Sequence, residues 1–65
     1  MTVIYRGDAL DAQVQWGGGR DPRGLLVPGH EYVVAYEEVH SLHTRYYLSG
    51  IEGWFNSVLF DKGRP

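Results

Sequence analysis

The sequence predicts an all-β domain, a small antiparallel sheet that curls on itself. Three observations carry this. Segments 31–40, 44–49 and 54–60 are rich in valine, tyrosine and other strand-forming residues. Short connections punctuated by glycine or polar residues join them, and none is long enough to house a helix. A further β-branched and aromatic run, Thr2-Val3-Ile4-Tyr5, opens the chain and stops at Arg6-Gly7-Asp8.

In chain order, Thr2 to Tyr5 reads as the first strand. Residues 7–24 then form a long connection. Within it, Asp8 to Trp16 reads either as a helical turn or as a poorly defined strand, and Gly17 to Gly24 has turn chemistry throughout. A loop of this length in so small a domain is either disordered or the binding element. Leu25-Leu26-Val27 returns the chain to the core, and Pro28-Gly29 turns it into the longest strand. Across 31–40, alternation sets Tyr32, Val34 and Tyr36 on one face and Val33, Ala35 and Val39 on the other. Both faces are partly apolar, as in a bent strand that serves two half-sheets or a strand with one face reserved for a partner.

Ser41-Leu42-His43 reads as a hairpin loop, and in the next strand Tyr46 and Leu48 alternate with Arg45 and Tyr47. Gly50-Ile51-Glu52-Gly53 supplies a tight turn with glycine where positive φ is needed. Trp54-Phe55 is expected as a short strand and Asn56 to Leu59 as a single 3₁₀ turn. Phe60 returns to the core ahead of a polar tail, 61–65.

A chain of 65 residues is one domain, 1–65, and a fold of that size buries only about 60% of its unfolded surface. With no cysteine there is no disulfide framework or thiolate metal site, so stability must come from packing, a partner or self-association. The amino terminus lacks the apolar run of a signal peptide, and no stretch approaches the roughly 20 apolar residues that span a bilayer. The expectation is a soluble, cytoplasmic protein with no membrane partner. A net charge of −2 argues against a general nucleic-acid binder and is too small for a mimic of DNA. Five of the six basic residues are arginine, which genome composition explains as well as any need for guanidinium contacts.

Five short strands, a long loop after the first, a Gly-x-x-Gly turn before an aromatic strand and a 3₁₀ turn before the last strand together resemble an SH3-like small barrel. More narrowly, the pattern is Leu26-x-x-Gly29-x-x-Tyr32-x-Val34, then Tyr46-x-Leu48-x-Gly50-x-x-Gly53-x-Phe55, then Phe60. It resembles that of many short uncharacterised proteins of phages and mobile elements, over about two thirds of the chain. The resemblance implies a five-stranded SH3-like small antiparallel barrel of phage or mobile-element origin, and with the residues read below the expectation is a non-enzymatic module that binds and modulates or inhibits a host protein. An anti-defence role, such as inhibition of a CRISPR effector, belongs to that class, though no residue selects it. The acidic loop and aromatic groove with which eukaryotic SH3 domains grip proline-rich ligands have no counterpart: Asp8 and Asp11 are sparse, and no Ala-Leu-Tyr-Asp-Tyr-like segment opens the chain.

For chemistry, His40 and His43 flank a hairpin and, with His30, Glu37 or Glu38, offer zinc-type donors, but the spacing is not diagnostic and no metal is expected. Gly17-Gly18-Gly19 is no phosphate cradle, since no helix follows it. A barrel filled by its own side chains leaves little room for a catalytic pocket, so neither an enzyme nor a cofactor is expected. Recognition is the better use of these residues. Trp16, Arg20 and Arg23 are of the types that dominate interface hot spots, and Tyr36, Arg45, Tyr47 and Trp54 can converge across neighbouring strands. Packing within the fold is the competing account for all four rings. The expected partner is a protein. Nucleic acid ranks behind it because Glu37, Glu38 and Glu52 would repel phosphates; self-association and a subunit of a larger assembly are the other readings.

Overall fold

The computed structural model describes residues 1–8 and 19–63. The described chain forms β1 (Thr2–Tyr5), β2 (Glu31–Val39), β3 (Thr44–Leu48), β4 (Phe55–Asn56), a 3₁₀ turn (Ser57–Leu59) and β5 (Phe60–Lys62). All pairings are antiparallel, in the order β4-β3-β2-β1-β5. The all-β, five-stranded antiparallel expectation is met. The sheet does not close, because β4 and β5 remain its two edges.

β2 is shared between two halves. Its first residues pair with β1, Thr2 opposite Val33 and Ile4 opposite Glu31. From Val34 onward it pairs with β3 instead. The shared pairing does not bury both faces: Tyr32 and Val34 meet the core, whereas Val33 and Val39 stay 55% and 74% exposed. The register with β3 shifts between Val34 and Tyr36, so Val34 faces Leu48 while Tyr36 faces Tyr47. Ala35 is the extra residue of a β-bulge. The bulge reverses the alternation expected from sequence: Val34 is buried, but Tyr36 is 57% exposed and lies on the outer face.

The core consists of Val3, Tyr5, Leu26, Val34, Leu48, Phe55, Leu59 and Phe60, with Tyr32, Tyr46 and Ile51 packed against it. Phe60 is its centre, with ring centroids 6.0 Å from Tyr5, 5.8 Å from Tyr46 and 6.3 Å from Phe55. Such tilted and edge-on pairs are each worth about 0.5–1.5 kcal/mol beyond the area they bury. Burial pushes the Tyr46 phenol above its usual range, with the Glu37 charge adding to the effect.

Two corrections concern the C-terminal half. Trp54-Phe55, expected as the short strand, shifts by one residue to Phe55–Asn56. Asn56 caps the 3₁₀ turn, its side-chain oxygen accepting from the Val58 N–H at 3.1 Å. Asp61 and Lys62, expected in a polar tail, belong to β5, with Val3 opposite Lys62. Main-chain pairing at an edge needs no apolar side chain, so composition does not reveal it. The turn from β3 into β4 uses glycine at positive φ as expected, 80° at Gly50 and 88° at Gly53.

The long connection is pinned where it leaves and re-enters the sheet. Gly29 N–H donates to the Tyr5 carbonyl at 2.7 Å, and Tyr5 N–H to that of His30 at 3.2 Å. Leu25 and Leu26 N–H groups both turn back onto the Pro22 carbonyl, delivering Leu26 to the core as expected. Among the described residues, no helix is long and apolar enough to cross a membrane.

Candidate interaction face on strands two to four

β3 sets the site by alternation. Leu48 is buried and Tyr46 packs on the core, so Arg45 and Tyr47 point to the other side of the sheet. The bulge at Ala35 brings β2 into step, placing Tyr36 opposite Tyr47 and Glu38 opposite Arg45. On β4, Phe55 is wholly buried opposite Tyr46, which leaves the preceding Trp54 on the outer side. Four residues expected to converge from sequence, Tyr36, Arg45, Tyr47 and Trp54, therefore share one face.

Their contacts are direct. Tyr36 and Tyr47 rings lie 5.5 Å apart at 49°. The Arg45 guanidinium sits over the Trp54 ring, 4.5 Å from its centroid, an arrangement worth about 0.5–1 kcal/mol at an exposed site. Two histidines continue the ladder: His43 stacks on Trp54 at 5.7 Å and 20°, and His40 stacks on His43 at 4.9 Å and 9°. Arg45 Nε–H donates to His43 Nε2 at 3.2 Å, and Arg45 Nη1 lies 3.4 Å from a Glu38 carboxylate oxygen. The same carboxylate oxygen meets His40 Nε2 at 2.5 Å. That bond to His40, followed by the charges of His40, Arg45 and His43, holds the Glu38 carboxyl below its usual range against the opposing effect of burial.

Sequence reasoning missed His40 and His43 as members of this face, naming them only as zinc-type donors beside a hairpin, and took Glu38 as a nearby acid without its contacts to His40 and Arg45. The available signal was spacing. The two histidines bracket a tight turn, where His40 N–H bonds the His43 carbonyl at 2.8 Å, and this brings their rings onto the side that Arg45 occupies two residues later. No group of three histidine, aspartate or glutamate side chains is placed to hold a metal ion among the described residues. His40 and His43 instead point their Nε2 atoms at Glu38 and Arg45.

Arg20 approaches from the side. Its N–H donates to the Trp54 carbonyl at 2.9 Å and its Nη1 to the Glu52 carbonyl at 2.5 Å, so it braces the turn that presents Trp54. Arg20, Glu52 and Gly53 line an open hollow of about 380 Å³. Gly19 lies against the indole: a Cβ there would fall 2.8 Å from Trp54 Cζ3. Arg23 is held by Asp21, Nε to Oδ1 and Nη2 to Oδ2 both at 3.0 Å. Hydrogen bonds from the Arg23 side chain and backbone hold the Asp21 carboxyl below its usual range. None of the contacts described joins Arg23 to the Tyr36–Trp54 face. Trp16, the remaining expected contact residue, lies outside the described residues.

The face is thus an apolar and aromatic surface crossed by a compensated charge network. Arg45 is matched by Glu38, whereas Glu37 stands opposite Tyr46 and so belongs to the other side of the sheet. Comparison with protein-family models, with curated proteins and with solved structures gave no match.

Proposed function

We propose that this chain is a non-enzymatic protein-binding module whose contact surface is the outer face of β2, β3 and β4. The observation that carries the reading is the convergence of Tyr36, Arg45, Tyr47 and Trp54 on one side of the sheet, three rings and a guanidinium of the kinds enriched at binding hot spots. Glu38 already neutralises Arg45, which favours a protein over a polyphosphate chain as the partner. The proposed architecture is the SH3-like small barrel. It is supported by β2 serving both halves of the sheet and by the 3₁₀ turn that leads directly from one edge strand to the other. A phage- or mobile-element origin rests on the family resemblance alone, and modulation or inhibition of a host protein is the form of binding proposed with it.

The test is affinity capture from a host lysate with tagged wild type beside Trp16→Ala and Tyr47→Ala, reading protein by mass spectrometry and nucleic acid by absorbance. The expected result is one stoichiometric protein that the variants hold more weakly by more than about 1 kcal/mol while remaining folded. Nuclease-sensitive recovery of nucleic acid alone, with salt-dependent binding of short oligonucleotides, would replace this reading with a nucleic-acid-binding one.

A further inference from the structure

The ladder His40, His43, Trp54 and Arg45 holds its protons in one defined arrangement. An arginine Nε always carries hydrogen, so the 3.2 Å contact from Arg45 Nε to His43 Nε2 requires a lone pair on that nitrogen. His43 is therefore the neutral tautomer with its proton on Nδ1. Its neighbour differs. A carboxylate only accepts, so His40 Nε2 carries the hydrogen that meets Glu38 at 2.5 Å. One histidine in the stack is a donor to an anion and the other an acceptor from a cation.

Protonation then has opposite consequences for the two rings. A charged His40 remains a donor to Glu38 and gains from its negative charge. A charged His43 presents N–H to N–H at Arg45, next to a guanidinium and stacked 4.9 Å from His40. The charged and titratable groups facing this ring are Glu38 and His40 from β2 and its turn, and Arg45 from β3. Trp54, packed on it ahead of β4, is uncharged, and Arg20 stands behind the Trp54 carbonyl. The single carboxylate of Glu38 then faces up to three cations.

We propose that His43 is a pH-operated latch on this face, keeping Arg45 over the Trp54 ring while neutral and expelling it when protonated. The proposal rests on the binding role assigned above and adds its regulation: the assembled surface exists while His43 is neutral and comes apart once acid protonates it. Acidification removes the guanidinium from the indole and leaves Trp54 and the histidine stack to rearrange. A partner fitted to the neutral arrangement is released.

The first experiment needs no partner. In ¹⁵N-labelled protein the Arg45 Nε–H and Trp54 Nε1–H resonances are followed from about pH 7.5 to 5.5. In wild type both are expected to move together with one midpoint. In His43→Gln, whose side-chain oxygen accepts from Arg45 at every pH, both should stay still. His40→Gln should leave the movement in place. Resonances that do not move in wild type, or that move equally in His43→Gln, overturn the latch.

The second experiment takes the protein captured as described above and measures its affinity at both ends of the same range. A loss of about tenfold, about 1.4 kcal/mol, is expected in wild type and none in His43→Gln. A latch that moves without changing affinity overturns its regulatory role. Failure to capture any protein counts against the binding reading and leaves the resonance experiment to decide the latch.

Discussion

Gly7 and Gly50 have nearly the same backbone conformation, φ 82° and 80°, and opposite surroundings. A Cβ on Gly50 meets nothing within 4 Å, whereas one on Gly7 falls 2.5 Å from Pro28 Cβ and 2.8 Å from its Cγ. Alanine at either position bears the left-handed penalty of about 1–2 kcal/mol. Reduced freedom of the unfolded chain offsets about 0.4–1 kcal/mol of it. Gly50→Ala should therefore cost about 1 kcal/mol. Gly7→Ala adds an overlap of about 1 Å against a closed proline ring, measured from the 3.5 Å at which carbon atoms rest in contact. Forcing such an atom into a packed site costs about 1–3 kcal/mol. Its total is about 2–4 kcal/mol, because Pro28 cannot retreat while Gly29 is bonded to the Tyr5 carbonyl. Urea titration of the two variants beside wild type measures both losses. Since 1 kcal/mol moves the midpoint of so small a domain by about 4–8 °C, the difference of about 1–3 kcal/mol should separate the thermal melts by about 4–24 °C. Losses equal to within about 0.5 kcal/mol would refute the claim that Gly7 and Pro28 clamp the two ends of the long connection together.

Two further outcomes follow from the site. Gly19→Ala should displace the Trp54 indole, because the new methyl lies 2.8 Å from Cζ3; the Trp54 Nε1–H resonance should shift while the core resonances of Phe55 and Phe60 hold, and an unmoved indole would contradict this packing. Glu38 is held below its ordinary pKa by His40, Arg45 and His43, so its contribution to stability is complete above the unfolded-state value near 4.5 and is lost as pH falls through the lower folded value. Denaturation midpoints measured from pH 7 down to about 3 should fall less steeply at the acid end in Glu38→Gln than in wild type, and parallel curves would show that the network contributes nothing.

Much of the fold is legible because its strands are marked by local chemistry. Thr2–Tyr5 is found at its observed bounds, since a β-branched run ends in Arg6-Gly7-Asp8. The 3₁₀ turn expected over Asn56 to Leu59 is found at Ser57–Leu59, with Asn56 as its cap. What escapes is what depends on pairing. Nothing in Val34-Ala35-Tyr36 announces a bulge, because alanine fits either face, yet this one residue decides that Tyr36 stands beside Tyr47 rather than in the core. β5 escapes for a related reason: Asp61 and Lys62 pair through their backbones and leave their side chains in water. In the site, the aromatic and arginine members could be found by residue type. For the histidines the one signal was their spacing about the hairpin, and only the closed turn shows that His40 and His43 stack and that Glu38 and Arg45 meet their ring nitrogens.

The central claim is that the outer face of β2, β3 and β4 meets a protein partner, and hydroxyl-radical footprinting of the captured complex tests it most directly. Tyr36, Tyr47 and Trp54 are reactive rings on that face. The account expects oxidation of Tyr36 and Tyr47 to fall on complex formation relative to the free domain. Undiminished oxidation of both tyrosines in a saturated complex would contradict it and place the contact elsewhere on the domain.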